Sequence, residues 1–291
     1  MLRTFATTSI PSPAPLSSGV RISLTAPLSR SALSSIRTGL EFAFSEQENV
    51  FDPAETHAAV LIPFCNVNNV PGILFEVRGK LRTHSGEVSF PGGRMDEAYT
   101  LSAALRETEE EIGIPRDRVE ILGRLGPPQT SLSGLRVWPY AGFVHAESRP
   151  FSMASGTSPV TYPPTSESTD DFPLPSLSLA DLKLNPQEVA HAFHLPLTAL
   201  VSPPRLHSYL FRGGLPYYAV SVADIVAGPG AVHSDSDAPV HWVNDIAQRD
   251  EIGGGREGRL EVWGLTGWYL CEIMRILGVY RPHSTERSTP P

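Results

Sequence analysis

Phe90-Pro-Gly-Gly-Arg-Met-Asp-Glu97, followed shortly by Arg106-Glu-Thr-Glu-Glu-Glu-Ile-Gly-Ile114, decides the reading of this chain. The second stretch has the pattern of a helix over residues 100–112, stopped by Gly113 and Pro115. At 100° per residue, Glu107, Glu110 and Glu111 fall within about a third of its circumference. Leu101, Leu105, Thr108 and Ile112 take the opposite stripe and are expected to face a core. Glu107 and Glu111 are i,i+4 neighbours, and like charges at that spacing destabilise a bare helix by a few tenths of a kcal/mol. A solvated acidic face is one explanation of such a run. A hard divalent cation that neutralises the carboxylates is the other, and Mg²⁺ favours a few carboxylates together with phosphate oxygens.

Composition narrows the classes. The 291 residues are 41% hydrophobic and can bury one enlarged domain. No apolar run is long enough to span a membrane. Cys65 and Cys271 lie far apart in apolar segments and read as core residues, not as a disulfide or a metal site. A net charge of −8 argues against a general nucleic-acid surface, which needs a basic stripe. A small nucleotide substrate held by a few arginines is compatible with it.

Residues 1–40 carry Arg3, Arg21, Arg30 and Arg37, many Ser and Thr, and no acids. This is the composition of a mitochondrial transit peptide, and losing it would take the charge from −8 to −12. A mitochondrial location is therefore the expectation, with peroxisomal or cytoplasmic alternatives; the carboxyl terminus is not a Ser-Lys-Leu address.

Along the rest of the chain, residues 35–47 read as an amphipathic helix. Residues 58–64, 72–78, 119–123 and 135–144 read as strands, and 209–222 as a strand pair. Residues 146–182, rich in Ser, Pro and Thr, read as a flexible insertion. Residues 184–201 read as a turn, a strand and a short helix, and residues 261–277 as a strand end running into a helix. The expected class is α+β.

The motif Arg106, Glu107, Glu110, Glu111, Gly113, Ile114 resembles the second half of the Nudix box, G-x5-E-x7-R-E-U-x-E-E-x-G-U. The loop from Gly93 to Arg106 is one residue shorter than the box, so its first Glu has no aligned partner; Glu97 could serve only with a deletion. Thr108 stands where a bulky aliphatic residue is usual. Upstream, Leu74-Phe-Glu-Val-Arg78, Leu81-Arg82, His84, Gly86 and Phe90-Pro-Gly-Gly93 are similar to the extended motif of the Nudix coenzyme A diphosphatases. There Phe75-Glu76 stands for Leu-Thr, and the span between the arginines is one residue short. Downstream, Asn185-Pro186, Glu188-Val189, Phe193, Pro196-Leu197 and Trp263-Gly-Leu-Thr266 look like further segments of that subfamily.

The resemblance implies a Nudix fold, a mixed sheet between helices, over residues 41–282, with a disordered tail at 283–291. It implies hydrolysis of coenzyme A and its thioesters to 3′,5′-ADP and 4′-phosphopantetheine or its acyl form. Glu107, Glu110 and Glu111 would hold Mg²⁺ or Mn²⁺, with the Gly92 carbonyl as a further ligand, and Arg106 would orient the carboxylates. Glu107 and Glu188 are both candidates for the general base. Arg78 and Arg82 would bind phosphates, for which guanidinium forks are suited. The alternatives are a Nudix hydrolase of NADH or ADP-ribose, and a catalytically silent binding module. Trp138, Tyr140, Trp263 and Trp268 read as core aromatics.

Overall fold

The computed structural model describes residues 21–43, 51–79, 86–95, 99–148, 171–212, 214–234 and 260–281. Arg82, His84, Glu97 and the tail at 283–291 lie outside these residues. The central pair is β1 (His57–Val67) and β2 (Val70–Arg78), joined by a tight turn at Asn68 and Asn69. Both asparagines have positive φ, 50° and 61°, the conformation that the two-residue turn between twisted antiparallel strands demands. Around them lie β3 (Val88–Ser89), β4 (Gly92–Arg94), β5 (Val119–Arg124), β6 (Gln129–Thr130) and β7 (Arg136–Val144). Then come β8 (Val189–Pro196) and β11 (Ala231–His233).

The main sheet runs β11-β8-β2-β1-β7-β5, with β3 on β2, β4 on β1 and β6 on β7. Only the β1–β7 ladder is parallel among those described, so the sheet is mixed. The small sheet joins β9 (Leu206–Phe211), β10 (Leu215–Ser221) and β12 (Glu261–Val262). Four helices are described: α1 (Arg30–Ala43), α2 (Thr100–Ile112), α3 (Ala223–Val226) and α4 (Gly264–Ile276).

β1 is covered on both faces, which is why its sequence is nearly all apolar. Its Ala58, Ile62 and Phe64 join a core shared with α1, α4 and the small sheet. The alternating Ala59, Leu61 and Cys65 pack in a second core with Ala103, Ala104 and Ile112 of α2. The α+β architecture with helices on both faces of a mixed sheet is the expected one. On α2 the buried residues are Ala103, Ala104, Thr108, Glu111 and Ile112, while Leu101 and Leu105 are half-buried. The stripe that meets the sheet is thus rotated from the expected one toward Glu111.

Packed structure crosses two of the expected boundaries. The domain was expected to begin at residue 41, but that position lies inside α1, and residues 21–43 belong to the packed fold. Arg30 and Arg37 pair at 2.8 Å with the buried Glu120, which also contacts His145 at 2.7 Å. Arg30 and Arg37 thereby fasten α1 to β5. Residues 171–182, expected to be flexible, bury Leu174, Leu177 and Leu182. The buried Asn66 side chain accepts from the Leu28 amide and donates to the Leu28 and Leu174 carbonyls, at 2.7–2.9 Å. Three leucines spread over a Ser/Pro-rich run give too little periodicity to reveal this.

Ile22, Leu24, Leu28, Leu33, Ile36 and Leu40 are all buried. At about 2 kcal/mol per side chain, losing them costs about 10 kcal/mol, the scale of a whole domain's stability. A chain beginning at residue 21 is expected to melt cooperatively, and one beginning at residue 41 to show no cooperative transition in calorimetry.

Candidate active site

The sequence Phe-Pro-Gly-Gly places β4 against β1, with Gly92 opposite Val60 and Gly93 opposite Ala59. α2 then crosses this glycine pair. A Cβ on Gly93 would lie 2.4 Å from the Glu107 carboxyl carbon, so any side chain there would displace the carboxylate. The Gly92 amide donates to Glu111 Oε2 at 2.7 Å. The glycines therefore bring two helix carboxylates directly onto the sheet.

At its other end α2 stops at Gly113, in the left-handed conformation with φ 72°, its amide bonded to the Glu109 carbonyl. The exposed carbonyls of Glu111 and Ile112 accept from the amides of Asn185 and Lys183, at 2.9 and 3.2 Å. Asn185 in turn opens a turn in which its carbonyl accepts from Glu188 and Val189. The Asn-Pro-Gln-Glu segment is in this way pinned to the helix end and delivers Glu188 to the same place.

Glu107, Glu111 and Glu188 each offer a carboxylate oxygen within 4.8 Å of the others. Of the residues singled out in the sequence, these three are brought together. Glu110 is not: its side chain is 53% exposed and pairs with Arg106 at 3.0 Å. The structure groups two helix carboxylates with one from the turn before β8. Arg106 also reaches Glu107 at 2.9 Å and the Arg94 carbonyl at 3.1 Å, so it ties the helix to β4 as well as aligning carboxylates. The Gly92 contact that defines its position is made through its amide. Trp138 donates to His57 and Trp268 stacks on Phe211 in the core.

The sequence reading missed Glu76. Leu74, Glu76 and Arg78 alternate on the β2 face that meets α2, and period-two counting from Leu74 would have found it. Glu76 is fully buried and accepts from Ser89 Oγ at 3.0 Å. Arg78 lies 4.0 Å from the same carboxylate oxygen. Burial, partly offset by Arg78, raises the Glu76 pKa to about 7. Burial and then the Glu76 charge raise that of Glu111 to about 10, against the Gly92 amide bond, which lowers it. Burial also raises Glu107.

This donor set suits a hard divalent cation. Only oxygens converge, three carboxylates are close enough to share an ion, and their buried charge needs neutralisation. Residues 55–148 match the family described as NUDIX domain. Over 90 residues the chain is 47% identical to an uncharacterized Nudix hydrolase, NudL, of Escherichia coli, and 46% identical to that of Citrobacter koseri. Each match covers 30% of this chain and 46% of the relative, so the chain spans about half the length of the curated relatives it matches. Among solved structures, an Ap4A hydrolase binary complex of Caenorhabditis elegans shares 15% identity over 50% of this chain and 83% of its own, with a TM-score of 0.32.

Carboxyls raised on folding stabilise the fold fully below their unfolded value of 4.5 and lose that contribution as pH rises through the folded value, about 7 for Glu76. At ~1.4 kcal/mol per pKa unit, the Glu76 shift alone corresponds to about 3 kcal/mol. With a chelator present, stability is expected to fall between pH 5 and 8 by about that amount. Glu111→Gln should flatten the decline, as followed by urea denaturation at each pH.

Proposed function

We propose that this protein is a divalent-cation-dependent hydrolase of a nucleotide diphosphate linkage, and that its substrates are coenzyme A and its thioesters. The convergence of Glu107, Glu111 and Glu188 beside Gly93 carries the hydrolase reading. The coenzyme A assignment is supported by the three sequence segments similar to coenzyme A diphosphatases. Arg78 adds to it, because this residue lies on the same β2 face as the carboxylates, partly exposed.

In this reading Glu107, Glu111 and Glu188 hold Mg²⁺ or Mn²⁺. The cation, when bound, neutralises charge on the phosphoryl oxygens and makes a water acidic enough to lose its proton near neutral pH. Arg106 keeps Glu107 aligned with the glycine turn. Glu107 or Glu188 accepts the proton of the attacking water. The water oxygen bonds to phosphorus as the bridging P–O bond breaks, leaving 3′,5′-ADP and 4′-phosphopantetheine or its acyl form. Arg78, and Arg82 with it, bind phosphate oxygens, the 3′-phosphate among them.

The short span between those two arginines favours a second reading, in which NADH or ADP-ribose is the substrate of the same carboxylate centre. Product analysis with coenzyme A, NADH and ADP-ribose, each with Mg²⁺ or Mn²⁺, separates the two. The expected result is 3′,5′-ADP release from coenzyme A well above turnover of the others; preferred cleavage of either alternative would discard the coenzyme A assignment. Glu107→Gln and Glu111→Gln are expected to lower kcat by about 100-fold or more, at least the loss seen when a group supporting a metal ligand is removed. Substrate binding retained without any turnover in the unaltered chain would instead establish a binding module.

Arg78→Ala is expected to raise KM for coenzyme A by about tenfold, a charge-assisted bond being worth roughly 1.5–3 kcal/mol. Its effect on 3′-dephospho-coenzyme A should be smaller, and equal effects on both would remove Arg78 from 3′-phosphate recognition.

A further inference from the structure

Glu76 occupies an interior strand position where the coenzyme A diphosphatase pattern has Thr. β2 lies between β8 and β1, and the neighbours of Glu76 on the α2-facing side include Leu74. An ionisable residue in such a place is costly unless its charge is matched. Ser89 serves Oε1, and Arg78 approaches only to 4.0 Å. Apart from the carboxyl of Glu111, no donor group among the described residues serves Oε2. The neighbouring carboxyl of Glu111 is close enough to share a proton with Glu76, and Glu111 Oε2 already takes the Gly92 amide. Two buried carboxyls and one distant guanidinium thus lie beside the convergence point of Glu107, Glu111 and Glu188. The fully buried carboxyl of Glu76 therefore adjoins the centre through Glu111, where its charge can act on a bound cation.

We propose that Glu76 is a positioning residue of the cation centre. Its carboxylate stands behind Glu111 and adds a fourth negative charge, so the cluster holds a divalent cation more strongly than Glu107, Glu111 and Glu188 would alone. Added ligand-shell charge is one of the ways proteins raise affinity for hard cations. The inference rests on the reading of the cluster as a metal centre, and it goes beyond that reading by assigning the strength of the centre to a residue outside the Nudix box. Thr at this position, as in the pattern, keeps a polar group for Ser89 and supplies no charge.

The test is Mn²⁺ binding to the full chain, followed by the electron paramagnetic resonance signal of free Mn²⁺, for the unaltered protein and for E76Q, E76T and E107Q. E76Q retains shape and hydrogen bonding and removes only the charge. Both Glu76 variants are expected to weaken Mn²⁺ binding about tenfold, the lower end of what loss of an outer partner costs. The rise in Tm on adding Mn²⁺ should shrink with it, while the metal-free Tm of E76Q holds or increases because a repulsion has gone. Affinity of E76Q equal to or tighter than that of the unaltered chain would overturn the proposal. If E107Q weakens binding and E76Q does not, the metal centre stands and only the role of Glu76 fails. If the unaltered chain binds no Mn²⁺, both readings fail together.

Discussion

The bond from the Gly92 amide to Glu111 is the constraint on which the site depends. It locks a helix carboxylate to the edge of the sheet and leaves no space between α2 and the glycine pair. Gly93 must then lack a side chain, because Glu107 fills the space where one would be. The helix end must also be held, since a rotation of α2 would break the contact. Gly113 and the Asn185 turn provide that hold, and the same turn carries Glu188. Glycines, helix and turn form one mechanical unit, although its parts are widely separated in sequence.

The electrostatics follow from this packing. Carboxylates forced together under a helix resist ionisation, so the fold is most comfortable when they are protonated or neutralised. Rising pH removes the first option progressively. A cation supplies the second, and the instability of the empty arrangement adds to the preference for a filled one. Arg106 acts differently from the buried groups: half-exposed and shared between Glu107, Glu110 and the Arg94 carbonyl, it aligns more than it neutralises.

Much of the site was legible in the sequence because its parts are local. The end of α2 follows from Gly113 and Pro115, and β1 and β2 follow from their apolar runs between turn residues. What sequence left unread depends on distant contacts. Glu188 reads in sequence only as a candidate base until the Asn185 turn is seen docked on α2, where it joins Glu107 and Glu111 while the Glu110 side chain is 53% exposed. Glu76 was hidden within an apolar strand, where only its alternation with Leu74 and Arg78 marks its direction. The pairing of Arg30 and Arg37 was hidden because their partner Glu120 lies on a strand far along the chain. The leucines at 174, 177 and 182 are too sparse to announce burial without the Asn66 clamp.

The two ends of the Ser/Pro-rich stretch are anchored separately. Arg118 holds the carbonyls of His145 and Ala146 at one end, and the Leu174 amide bonds to Leu28 at the other. Each end of that stretch therefore takes its position from its own contact with the sheet or with the segment before α1, so a change that loosens one anchor leaves the other in place.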